Sequence, residues 1–191
     1  MQRQRILREA ASLFDLGGYH NTSMEDIASR IGLRKPTLYH YFKSKEDILF
    51  GIHDAFIDRL IEQQRARQSI AMDGRQQLLE IIMDMLQVID EQRGEVRAFF
   101  EFYRELSPDR RESIARKQDE YEGFVEGVIR AGVAAGEFRE VDPRLAALSL
   151  FGMVNWSYQW FQPGGRLGPR ELAYVMWDLF VKGISKIPAA S

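Results

Sequence analysis

Apolar residues recur every three or four positions along almost the whole chain, and the two-residue alternation of a strand persists nowhere, so the sequence predicts an all-α protein. A first helix over 2–16 sets Ile6, Ala10, Leu13 and Phe14 on one face and stops at the Gly17-Gly18 pair. A second starts near Ser23, whose hydroxyl can cap the exposed amides while Asp26, three residues on, returns the contact. Ile27, Ala28 and Ile31 form its inner face, and Gly32 allows the left-handed conformation that ends it. Pro36 opens a third helix, because its missing N–H costs nothing at the first helical position. Ser44 caps a fourth, with Asp47 as partner and Ile48, Ile52, Phe56 and Leu60 down one side. Longer helices are predicted near 75–92, 95–106, 108–135, 143–161 and 169–186, with breaks at Gly74, Gly94, Ser107-Pro108, 136–143 and 163–168.

With 191 residues, 45% of them hydrophobic and 28% charged, the chain has ordinary globular composition and can bury a real core. Cysteine is absent, which excludes disulfides, thiolate metal sites and a cysteine nucleophile. The opening MQRQRILREAASLF is charged throughout and reads as a helix rather than a signal peptide. No apolar run reaches the roughly 20 residues that span a bilayer, and a cytoplasmic location is expected. Net charge is -2, but residues 1–50 carry a balance of +2 and the remainder one of -4. Positive charge gathers at one end, as in a chain with one polyanion-binding part.

That end holds an unusual segment, RKPTLYHYFKSKEDIL over residues 34–49, with four cations and a cluster of rings. Two short helices joined by a glycine-containing turn are the sequence form of a helix-turn-helix, whose second helix enters the DNA major groove by its N-terminal residues. Lys35 can then donate to guanine acceptors, while Pro36 and Thr37 pack on a thymine methyl. Tyr39, His40 and Tyr41, with Lys45 and the first amides of the fourth helix, would grip phosphate oxygens. Leu38 and Phe42, one turn apart, are expected to face inward.

Residues 3–50, and above all TSMEDIASRIGLRKPTLYHYFKSKEDIL, closely resemble the DNA-binding domain of the TetR family of bacterial transcriptional regulators. The resemblance implies a homodimer on an inverted-repeat operator, with an N-terminal three-helix DNA-reading domain and a larger helical domain that binds a small effector and thereby releases DNA. The division falls at 1–46 and 47–191. Carried over residue by residue, it implies phosphate contacts at Thr22, Tyr39, Tyr41 and Lys45 and base contacts at Lys35, Pro36 and Thr37; the position of His40 varies within the family.

In the second part, the stretch near 143–161 is apolar nearly all round, so it must be covered on every side, by its own domain and by a partner subunit. The last helix adds a stripe of Leu172, Val175, Leu179 and Gly183. Asn155 and Gln159 lie in that apolar stretch beside Trp156 and Trp160, and aromatic walls with a few placed polar groups describe a ligand pocket. Met83, Phe99, Phe102, Tyr103, Tyr121 and Phe124 on the middle helices complete the expected lining. Arg97 and Arg104 are candidates for ligand phosphates. WSYQWFQPGGRLGPREL and the following KGISK are similar to the C-terminal region of TetR-family repressors of actinobacterial sterol and fatty-acid breakdown, which respond to acyl-CoA thioesters. That resemblance implies a hydrophobic effector, with such a thioester as the candidate.

Two other classes of function compete with this reading. An enzyme would need a recognisable centre, and the chain has no G-x-S-x-G elbow, no phosphate-binding glycine loop and no H-E-x-x-H. Its histidines, His20, His40 and His53, lack metal-ligand spacing, so no catalytic residue, metal or cofactor is expected. A helical protein-binding adaptor would leave the basic ring-bearing segment without a purpose.

Overall fold

A computed structural model describes residues 2–67 and 70–185, and over these the protein is helical. The helices are α1 (Gln2–Gly17), α2 (Met24–Ile31), α3 (Lys35–Tyr41), α4 (Lys45–Arg67), α5 (Gly74–Glu91), α6 (Arg93–Glu101), α7 (Pro108–Ala134), α8 (Pro143–Asn155), α9 (Ser157–Trp160) and α10 (Pro169–Ile184). A 3-10 turn, Tyr103–Glu105, separates α6 from α7. Extended pairing among the described residues is limited to a bridge between Phe138 and Ser185. The last predicted residue of the final helix, 186, lies outside the described residues.

The chain forms two compact units. One runs through Arg59 and takes in Gln92–Lys117; the other comprises Leu60–Glu91 and the residues from Gln118 on. In the first unit, Ile6, Ala10, Phe14, Ile27, Ile31, Leu38, Ile48 and Ile52 are buried together, the residues that the helical spacing placed inward. The local stops work as read. Ser23 Oγ accepts from the Asp26 amide at 3.1 Å and the Asp26 carboxylate accepts from the Ser23 amide at 2.8 Å. Gly32 ends α2 at φ 69°, and the Leu33 amide closes back on the Ala28 carbonyl at 2.9 Å. Ser44 and Asp47 make the same reciprocal cap on α4, at 3.0 Å in each direction. Lys35 precedes Pro36 as the first residue of α3, so the proline sits at the second helical position.

Three expectations are refined. The break expected at Gly94 falls at Gln92, between α5 and α6; Gly94 itself lies in the first turn of α6, where a Cβ would stand 3.0 Å from the Ala11 carbonyl of α1. Its lack of a side chain lets two helix backbones approach. The chain is non-helical before Gly74, as expected, but Gly74 is itself the buried first residue of α5, donating to Glu137 at 2.9 Å and packed against the Phe138 ring. The stretch 143–161 is not one helix: α8 stops at Asn155, and the buried Ser157 hydroxyl donates to the Val154 carbonyl at 2.6 Å before α9 begins.

The second unit packs α5 against α8 and α10 around Leu78, Ile81, Ile82, Leu86, Leu150, Val154, Ala173 and Met176. Leu172 of the expected outer stripe belongs to this core. Leu145, Leu148, Trp156, Trp160, Tyr174, Val175 and Leu179 do not; they are exposed large apolar side chains. Among the described residues, no helix is long and apolar enough to cross a membrane.

Candidate functional site

In α3 the alternation of inward and outward positions is clean. Leu38 is fully buried and Phe42, just past the helix, nearly so, while Lys35, Pro36, Thr37, Tyr39, His40 and Tyr41 are all exposed. One face of a seven-residue helix is pinned to the core, and the other carries a proline, two phenols, a hydroxyl, an imidazole and an ammonium. Lys35 is held by Glu25 of α2, which raises its pKa and keeps it charged. Against a duplex, that salt bridge can open in exchange for phosphate or base contacts, because both partners are solvated.

Thr22 and Lys45 sit differently from the other candidates. Thr22 is buried, and its hydroxyl donates to the Gly18 carbonyl at 3.0 Å. The Lys45 ammonium donates to the carbonyls of Tyr19 and Thr22, at 2.7 and 2.8 Å, and lies 4.3 Å from the Tyr19 ring centroid. Burial lowers its pKa, against a smaller opposing pull from Glu105. Lys45 thus ties the α1–α2 loop to the start of α4, and with it the amides there. Arg110 of α7 pairs with Asp47, and Glu46 accepts from the Ser107 amide at 2.9 Å. Burial works against the Asp47 carboxylate, but Arg110 and the Lys43 and Ser44 amides leave its pKa lowered.

The residues expected to line an effector pocket divide between the units. Phe99, Phe102 and Tyr103 belong to the first, where Phe102 meets Phe14 and Tyr19 edge-on or tilted, and Phe99 and Tyr103 flank His53. His53 is wholly buried and its ring nitrogens make no well-formed hydrogen bond among the described residues. Burial, weakly opposed by the Ala98 backbone, holds its pKa down to about 4. Arg97 is engaged by Asp15 and Glu101. Met83, Tyr121, Phe124, Asn155, Trp156, Gln159 and Trp160 belong to the second unit. There Tyr121 is buried against Phe151, Met83 and Asn155 are half-buried, and Trp156, Gln159 and Trp160 face solvent, Trp156 with 63% of its surface exposed.

Of these, Phe124 opens onto a cleft of about 240 Å³ inside the second unit. One wall is apolar, from Phe124, Gly127 and Val128 of α7; the other is polar, from Gln64, Arg67 and Gln77. Arg67 closes α4 by a two-pronged ion pair with Asp84 of α5, and Glu80 stands 3.6 Å away. The Tyr121 hydroxyl, fully buried, has no hydrogen-bond partner among the described residues, and its pKa is raised by burial and by Asp84. The polar wall was missed from sequence, although Asp84 inside the apolar run IIMDML signals a buried acid that needs a cation.

The family model described as "Bacterial regulatory proteins, tetR family" matches residues 6–52, and that described as "Tetracyclin repressor-like, C-terminal domain" matches residues 71–184. The chain is 27% identical to the HTH-type transcriptional repressor KstR2 of Rhodococcus jostii, over 96% of this chain and 91% of that protein. It superposes on the TetR family transcriptional regulator PfmR from Thermus thermophilus with a TM-score of 0.88 and 34% identity, covering 95% and 100% of the two chains. AibR, solved in complex with isovaleryl coenzyme A and operator DNA, gives a TM-score of 0.83 and 30% identity, covering 94% and 97%.

Proposed function

Because the chain belongs to the TetR family and is a DNA-binding transcription regulator rather than an enzyme, we propose that it acts as a homodimeric repressor. In this reading it leaves an inverted-repeat operator when a hydrophobic acyl-CoA thioester binds its larger helical part. The observation that carries the reading is the recognition helix: Leu38 fully buried, with six exposed side chains on the other face. Repression and the thioester are supported by relatives, a named repressor and a protein solved with isovaleryl coenzyme A and DNA. The dimer is supported by the exposed apolar side chains of α8 and α10. A two-fold dimer must hold its recognition helices about one DNA turn apart, roughly 34 to 36 Å, so a small change in that spacing breaks one half-site. To move the population from 1:99 to 99:1 the effector must prefer the non-binding state by about 5.5 kcal/mol.

The test is fluorescence anisotropy on duplex DNA from upstream of the protein's own gene and on random duplex, across a salt series, with and without a panel of acyl-CoAs. Specific binding that one thioester abolishes is the expected result. Equal affinity for both duplexes at every salt concentration would reject the operator reading, and unchanged specific binding across the whole panel would reject the effector.

A further inference from the structure

The cleft in the second unit brings apolar and polar side chains around one small space. At about 240 Å³ it is smaller than the roughly 300–1,000 Å³ of pockets that enclose a whole drug-sized ligand, so it suits one end of a molecule. Phe124, Gly127 and Val128 offer that end an apolar wall, and Gly127 leaves open space where a Cβ would stand. Also lining it are Gln64, Gln77 and Arg67; the Gln64 amide nitrogen donates to Asp84 at 3.4 Å and that of Gln77 to the Met72 carbonyl at 2.9 Å, so each –NH2 group keeps one further N–H for a ligand. A free guanidinium would invite an anion, but the charge of Arg67 is already shared: Asp84 holds it by both prongs and Glu80 stands beside it. A ligand carboxylate would be a third anion around one cation, with like charges close together in partly buried surroundings. A neutral carbonyl needs donors and brings no charge.

The geometry points to this cleft as the site for the carbonyl end of a short acyl ester, thioester or amide, with Arg67, Asp84 and Glu80 together excluding the free acid. The inference rests on the effector reading above and deepens it by assigning the residues that select the acyl end.

Isothermal titration of the whole protein with the butyryl and hexanoyl thioesters of N-acetylcysteamine, their methyl esters and the free acids tests it, since these probes share a chain and differ in charge. The thioester and ester should bind about tenfold or more tightly than the acid. Gly127→Leu should fill the cleft and lose thioester binding, whereas Gly123→Leu, on the same helix with equally open space but outside this cleft, should bind as wild type; circular dichroism confirms that both are folded. Asp84→Asn removes one competing anion and should narrow the preference against the acid; Glu80→Gln, at a more exposed position, reads the same effect if the first variant fails to fold. An acid that binds as well as its thioester overturns the proposal, as does wild-type thioester binding by Gly127→Leu. If acyl-CoAs still release DNA from the Gly127→Leu protein, only this cleft is rejected; if no acyl compound binds the wild type at all, the effector reading falls with it.

Discussion

The unit that holds the recognition helix is tied by side chains that cross between helices. Arg97 of α6 reaches Asp15 of α1, Arg110 of α7 reaches Asp47 of α4, Lys117 bridges Asp54 and Asp58, and Arg59 meets Glu95. Its exposed rings, Tyr39 and Tyr41, end in hydroxyls. Among the described residues the other unit has fewer such ties, chiefly Arg67 with Asp84 and Arg65 with Glu120, and it exposes leucines, a valine and two tryptophans. Solvated ion pairs add little stability, but they are directional and resist sliding of one helix along another. One unit holds hydroxyls and cations in place for a polyanion; the other leaves apolar area uncovered, as a surface meant for an apolar partner does.

The largest effect expected from breaking this contrast is on association. Leu179→Glu should convert the proposed dimer to a monomer at micromolar concentration by light scattering, because an unpaired charge in an apolar interface costs several kcal/mol. Leu16→Glu, in the first unit and 76% exposed against 64% for Leu179, should leave the mass unchanged. A dimer that survives Leu179→Glu would place the interface elsewhere.

Next in size is the response to acid. His53 has a folded pKa of about 4 against its usual 6.5, so between those values the unfolded chain binds more protons than the folded one. Its contribution is therefore fully present above pH 6.5 and is lost as pH falls toward 4, a loss on the order of 3 kcal/mol. Urea unfolding across that window should show the decline, and His53→Leu should flatten it. An identical slope in the variant would mean that other groups carry the effect.

A smaller pair of substitutions sets one unit against the other. Gly94→Ala forces a methyl against the Ala11 carbonyl and should destabilise by about 1–3 kcal/mol. Gly123→Ala, in open space on α7, should stabilise by roughly 0.5–1 kcal/mol through helix propensity. Thermal melts that moved the same way for both would contradict the close approach of α1 and α6. The finest test is on DNA: Thr37→Ala should weaken specific binding about tenfold and random binding less, whereas Lys45→Ala should lower the melting temperature as well, since Lys45 holds the α1–α2 loop.

These contrasts also mark what could be read from the chain alone. The caps at Ser23 and Ser44 and the turn at Gly32 were legible because each is decided within four residues. The outward face of α3 was legible for the same reason, with Leu38 setting the inward direction. Gly74 and Gly94 marked breaks to within two residues, but each lies just inside a helix, where its missing side chain serves a distant backbone or ring contact that the sequence does not show. The interruption at Trp156 has neither glycine nor proline to announce it; the signal is Ser157, whose hydroxyl turns back on Val154. Lys45 was placed by its charge, and its carbonyl partners arrive from a loop more than twenty residues earlier. Arg67, Gln64 and Gln77 were missed because their cleft exists only once α4, α5 and α7 come together.

The approach of α6 to α1 at Gly94 also has a consequence in time. The first unit is discontinuous in sequence: its opening stretch ends at Arg59 and its remainder is Gln92–Lys117. At roughly 5–20 residues per second of synthesis, several seconds separate the emergence of α1 from that of the helix that covers it. During that interval the residues of α1–α3 have been synthesised, yet the side of α1 that receives α6 stays bare and the Asp47 carboxylate lacks Arg110. The residues of the recognition helix therefore leave the ribosome early and the helix that backs α1 late, after α5 of the other unit has already been synthesised.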